Sequence, residues 1–148
     1  MNKTSQGTRH QSLGRGELLM LLEAAQDKSA HLSQELITEL AESLGLSIGE
    51  VYGVATFYSF LSTEPQGRNV IRICRSLPCL LKHAQIIIKT MQREIGIGPG
   101  ETTPDGKFSF ELTNCIGACD KAPAIMINSD VHGDLTPKKI ARILQAYK

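Results

Sequence analysis

The chain has 148 residues, and its 16 Lys and Arg against 15 Asp and Glu leave a formal charge of +1. That balance supplies no electrostatic footprint for nucleic acid, and 41% apolar with 21% charged residues fits a soluble folded protein rather than a disordered one. No apolar run approaches the roughly 20 residues of a membrane-spanning helix, and residues 1–12 carry no hydrophobic stretch of a secretory signal. The expectation is a cytoplasmic protein. In that reducing compartment four cysteines read as metal ligands or redox groups rather than as a disulfide framework.

Residues 1–12 bury too little surface to offset their ordering entropy and are expected to form a loose tail. From Leu13 to about Asp27 the apolar residues Leu18, Leu21, Leu22 and Ala25 fall at i, i+3, i+4 and i+7, the stripe of an amphipathic helix. Ser33 is placed to cap a second helix, which carries Leu36, Ile37, Leu40, Ala41 and Leu44 and stops at Gly45. Ser47 and Glu50 form a capping-box pattern ahead of a third, with Val51, Val54, Ala55, Tyr58 and Leu61 on its apolar side. Pro65 and Gly67 break the pattern, which puts a domain boundary near Gln66 and divides the chain into a tail (1–12), a helical module (13–66) and a second domain (67–148).

In the second domain Val70 to Ile73 reads as a buried strand. One helix is predicted from Cys79 to Ile95, with Leu80, Ala84, Ile87, Ile88, Met91 and Ile95 on one face, ended by Gly96 to Gly100. Asp105-Gly106 turns the chain into a strand over Lys107 to Leu112, and Ala124 to Asn128 is another strand. Gly133 marks a turn before Thr136-Pro137 opens a last helix with Ile140, Ile143, Leu144 and Tyr147. No internal repeat is visible.

All four cysteines lie in this domain, as Cys74-x₄-Cys79 and Cys115-x₃-Cys119. Each pair occupies a loop at the end of an element, where two sulfurs can converge on a metal centre that would also deprotonate them. A structural zinc site of four cysteines is permitted by these spacings but not favoured. Thioredoxin-type exchange asks for Cys-x-x-Cys, which is absent. A [2Fe–2S] cluster spreads four thiolates around a rhombic core wider than one zinc ion, and the looser pairs suit that reach. Four cysteines packed only as small apolar groups would not explain their pairing beside Gly and Pro.

Cys74-x₄-Cys79, followed after about 35 residues by Cys115-Ile-Gly-Ala-Cys119-Asp-Lys-Ala-Pro123, resembles the thioredoxin-like [2Fe–2S] subunit of NADH-oxidising complexes. That family includes the small flavoprotein-fraction subunit of respiratory complex I, the gamma subunit of NAD-dependent formate dehydrogenases, and the small subunit of NAD(P)-linked or electron-bifurcating hydrogenases. Gly53-Val-Ala-Thr-Phe-Tyr58, the loop from Gly100 to Phe108 and Leu135-Thr-Pro137 carry the likeness across residues 16–148. The resemblance implies an α/β architecture, a three-helix module followed by a thioredoxin-like ferredoxin domain. It implies that Cys74, Cys79, Cys115 and Cys119 each give one thiolate to a single [2Fe–2S] cluster, with Gly117 letting the second loop approach closely. FMN and NAD(P) are then expected on a partner subunit gripped by the N-terminal helices, with further redox subunits beyond it. A free-standing ferredoxin and a structural zinc module are the competing expectations.

One position departs from the family, whose members often carry Gly four residues after the second cysteine where this chain has His83. His83 is expected on the helix facing solvent, since Rieske ligation takes two histidines and His10, His31 and His132 are not arranged as partners. Gly96-Ile-Gly98-Pro-Gly100 follows a helix rather than a strand, so no nucleotide site is expected in this chain. Lys82, Lys89, Arg93, Lys138, Lys139 and Arg142 read as solvated helix faces, and Phe57-Tyr58 as either core or docking surface.

Overall fold

Residues 15–147 are described in a computed structural model, and the chain divides into two compact units, Met1–Glu64 and Pro65–Lys148. The tail expected over residues 1–12, His10 within it and the helix start at Leu13 lie outside the described residues. No helix among those described is long and apolar enough to cross a membrane.

The first unit opens with a 3-10 turn, Arg15–Glu17, followed by α1 (Leu18–Ser29), α2 (Gln34–Leu44) and α3 (Ile48–Phe57). Ser33 caps α2 by accepting from the Leu36 amide at 3.3 Å, and Gly45 ends it at φ +64°, the left-handed region that glycine enters without steric cost. At α3 the capping box is complete: the Glu50 amide donates to Ser47 Oγ at 3.2 Å, and the Ser47 amide to Glu50 at 3.1 Å. Leu18, Leu22, Leu32, Ile37, Ala41, Val51 and Ala55 close the core of this unit. Tyr58 does not join them. Helix α3 stops at Phe57, and Tyr58 turns extended and exposed, its ring edge against Phe57 at 5.1 Å.

The second unit runs β1 (Asn69–Cys74), α4 (Leu77–Leu81), α5 (Ala84–Ile95), β2 (Glu101–Thr102), β3 (Phe108–Thr113), a 3-10 turn (Cys119–Lys121), β4 (Ile125–Ile127), β5 (Asp130–His132) and α6 (Pro137–Ala146). The strands form one sheet in the order β2-β3-β1-β4-β5, with β1 and β3 parallel and the other pairings antiparallel. Alternation along the strands sends Ile71, Ile73, Phe108, Phe110, Ile125 and Ile127 to one face, where they pack with Ile87 and Met91 of α5 and Ile140, Ile143 and Leu144 of α6. The opposite face mixes apolar Val70 and Met126 with polar residues. There Arg72 and Glu111, register partners on β1 and β3, form an ion pair at 3.0 Å, and Gln66 donates to the same carboxylate.

The single helix expected from Cys79 to Ile95 is two. It starts earlier, at Leu77 with Pro78 in the first turn, and breaks at Lys82-His83, where His83 takes φ +64° and ψ +33°. His83 therefore stands at a left-handed kink rather than on a helix face, and Leu80, expected on the buried side, is exposed beyond the kink. A Cβ in that region costs roughly 1–2 kcal/mol that glycine does not incur. His83→Gly is accordingly expected to raise stability by about 1 kcal/mol after its greater unfolded-state entropy is deducted, read as a higher urea midpoint at unchanged slope. The short strands β2 and β5 carry no sequence signal. Two or three residues give no alternation to detect.

Tyr147, the C-cap residue just after α6, fastens that helix. Tyr147 Oη donates to Asp130 at 2.7 Å and meets His132 Nε2 at 3.1 Å, tying the helix end to β5. Burial, then the hydrogen bond to Asp130 and that residue's charge, push the phenol up to about 12. Since the folded state holds the proton more tightly, this stabilisation is complete below the ordinary phenol value of about 10 and fades as pH rises from there through about 12. Tyr147→Phe should lower stability by about 1 kcal/mol at pH 8, and the gap to wild type should shrink at pH 11.

Candidate metal centre

The sheet brings the two cysteine loops to one end. Cys74 is the last residue of β1 and pairs in register with Thr113, the last of the parallel strand β3, so the segment carrying Cys115 leaves the sheet beside Cys74. Strand β4 runs the other way and starts with Ile125 opposite Ile73, so the segment carrying Cys119 enters at that same end. Backbone bonds fix the junction, Arg75 N–H to the Thr113 carbonyl at 2.9 Å and Cys74 N–H to that of Ala124 at 3.3 Å.

All four cysteines are free thiols, arranged as an inner and an outer pair. Cys74 and Cys79 are buried among Ala84, Ile116 and Ala122, while Cys115 and Cys119 are exposed, with their sulfurs 3.3 Å apart. At φ +78° Gly117 turns the second loop, and its own amide donates to Cys115 Sγ at 3.4 Å. Among the described residues no three Cys, His, Asp or Glu converge as the ligands of one ion would.

Burial opposes ionisation of Cys74, yet the Ser76 amide and hydroxyl, the Cys79 thiol and the Ile116 amide together hold its thiol below the ordinary range. Burial, outweighing help from the Ala124 amide, pushes Cys79 up to about 11, with Cys74 adding to the rise. The hydrogen bond with Cys115 raises Cys119, helped by burial and the neighbouring Cys74 and Asp120. Thiolates crowded this way repel one another, and a cationic centre removes that opposition. The donor set fits an iron–sulfur cluster: four free thiols from two loops, with backbone amides of Ser76, Ile116, Gly117 and Ala124 directed at sulfur. Sequence reading does not single out the amides of Ser76, Ile116 and Ala124, because an amide belongs to every residue and carries no signal of its own. His83 ends the first loop at its kink.

The family model of the thioredoxin-like [2Fe-2S] ferredoxin matches residues 5–148. The chain belongs to that family. A [2Fe–2S] cluster is therefore the cofactor of this ferredoxin-like chain, and the helices preceding its sheet domain fall within the family match. Its relatives include a subunit of the NADH-quinone oxidoreductase of Pseudomonas aeruginosa, 40% identical over 126 residues that cover 85% of this chain and 76% of the relative. The HndA subunit of the NADP-reducing hydrogenase of Solidesulfovibrio fructosivorans is 33% identical over 132 residues, 89% of this chain and 77% of that one. Among solved structures, the NAD+-reducing [NiFe]-hydrogenase in the air-oxidized state superposes with a TM-score of 0.70 at 26% identity. The match covers 85% of this thioredoxin-like ferredoxin chain but only 23% of the hydrogenase chain.

Proposed function

We propose that the chain is a one-electron carrier subunit of a multisubunit NAD(P)-linked oxidoreductase, with Cys74, Cys79, Cys115 and Cys119 each supplying one thiolate to its cluster. The observation that carries this reading is the meeting of two thiol pairs at one end of the sheet, with amides aimed at their sulfurs. A bound [2Fe–2S] cluster takes up and releases one electron at a time. The buried Cys74 and Cys79 and the exposed Cys115 and Cys119 would hold it, and the amide donors at their sulfurs would favour its reduced form.

The electron's source or destination is the flavin of an NAD(P)-binding partner, which the relatives' names support, being those of NADH- and NADP-linked enzymes. We assign the grip on that partner to the N-terminal helices. Helix α3 is apolar on both sides, and beyond its core residues Val51 and Ala55 it exposes Ile48, Tyr52 and Phe57, the last 77% exposed. Apolar rings on a helix are of little use to an isolated soluble unit and suit a partner's groove. Such an assembly belongs in the cytoplasm.

The test replaces Tyr52 and Phe57 by Asp in the full chain, expressed in its own host. The flavoprotein should no longer co-purify and NAD(P)H should no longer reduce the cluster, while the cluster's dithionite-reduced spectrum stays unchanged. Undiminished co-purification would contradict the docking assignment.

A further inference from the structure

The two cysteine pairs differ in a way that cluster ligation alone does not require. Cys74 and Cys79 are 1% and 2% exposed and held by elements on both sides, Cys74 as the end of β1 and Cys79 within α4, its amide bonded to the Ser76 carbonyl at 3.0 Å. Cys115 and Cys119 are exposed, sit four residues apart on one loop that turns at Gly117, and already hold their sulfurs 3.3 Å from each other. A disulfide bond is about 2.05 Å long. A loop bent at a left-handed glycine can close that distance without disturbing a strand or an α-helix, Cys119 being the first residue of a short 3-10 turn.

We propose that Cys115 and Cys119 form a reversible redox latch: in the chain without its cluster, a peroxide oxidises them to an intramolecular disulfide while Cys74 and Cys79 remain thiols. Attack by one exposed sulfur on hydrogen peroxide gives a sulfenic acid and one water. The neighbouring thiol displaces the second water as the S–S bond forms, so two thiols and one peroxide become one disulfide and two waters. Dithiothreitol reverses the step by thiol–disulfide exchange. Formation of this disulfide stands on the geometry of the loop. Its consequence rests on the ligand assignment proposed above: the latch occupies two of the four ligands and blocks reloading until it is reduced.

The full-length chain is stripped of iron, fully reduced, treated with stoichiometric hydrogen peroxide, alkylated without reductant and digested with trypsin. Cleavage after Lys107 and Lys121 releases residues 108–121 as one peptide holding both Cys115 and Cys119, whereas Cys74 and Cys79 fall in separate peptides, 73–75 and 76–82. The expected product is peptide 108–121 lighter than its reduced form by two hydrogens and unalkylated, with 73–75 and 76–82 both alkylated. A cross-link between 73–75 and 76–82, a cross-link from either to 108–121, or four alkylated cysteines would overturn the proposal. Iron–sulfide reconstitution of the oxidised chain should then fail and recover after dithiothreitol. Recovery without reductant would overturn the latch as a block to reloading. The same reconstitution on chain never oxidised tests the ligand assignment separately, since failure there leaves the disulfide mapping valid.

Discussion

Replacing Cys79 by alanine is expected to leave the purified chain almost without iron, against about two atoms in the wild-type chain. Cys79 lies 2% exposed beside Cys74, so the change removes both a proposed ligand and the packing of its sulfur against Ala84, Ile116 and Ala122. Because cluster binding adds to folding free energy, the variant should also unfold at lower urea than wild type by more than the roughly 1 kcal/mol of a small buried truncation. Cys119→Ala is the informative comparison. Its side chain is exposed, so it should lose the cluster to the same extent while the iron-free variant unfolds with the iron-free wild type. Iron analysis with urea unfolding of loaded and stripped samples separates the two effects. An iron-replete Cys79→Ala chain would remove this residue from the ligand set.

Glu111→Ala is expected to cost about 3 kcal/mol, the lower end of what breaking a buried ion pair costs. Arg72 is nearly inaccessible, with 8% of its side chain exposed, and Glu111 keeps 26%. Removing the carboxylate takes away the charge facing a guanidinium that water barely reaches, and with it the hydrogen bond from Gln66 that holds the start of the second unit to the sheet. The pair also bridges β1 and β3, the strands whose ends deliver Cys74 and the Cys115 loop. Cluster loading should therefore fall along with stability. The double variant Arg72→Met, Glu111→Leu removes both charges and should recover most of the loss. Urea midpoints of the single and double variants decide the matter, and a double variant no better than Glu111→Ala would show that packing rather than charge governs this site.

The cluster loops were legible in the sequence because their signals are side chains at fixed spacing: four cysteines in two pairs, with Gly117 in the second. Caps were legible for the same reason, Ser33, Ser47 with Glu50, and Thr136 each accepting the amide their position calls for. The break at His83 was not, since a left-handed residue other than glycine leaves no mark and the apolar spacing runs on through it. The family's frequent glycine at this position hints at the backbone conformation found here, although a histidine beside two cysteines raises the question of metal ligation first. Arg72 and Glu111 were hidden for a different reason: each lies in an apolar run, and only the parallel register sets them face to face. The exposure of Phe57 and Tyr58 followed from where α3 stops, which periodicity locates poorly when both sides of a helix are apolar.

The measurement that bears most directly on the central claim is electron paramagnetic resonance of the anaerobically purified, dithionite-reduced chain, with iron and zinc determined on the same sample. A spin-half signal of about one spin and about two iron atoms per chain, altered by substitution at each of Cys74, Cys79, Cys115 and Cys119, is the result expected. A silent spectrum with stoichiometric zinc and little iron would contradict it and make the four cysteines a structural metal site.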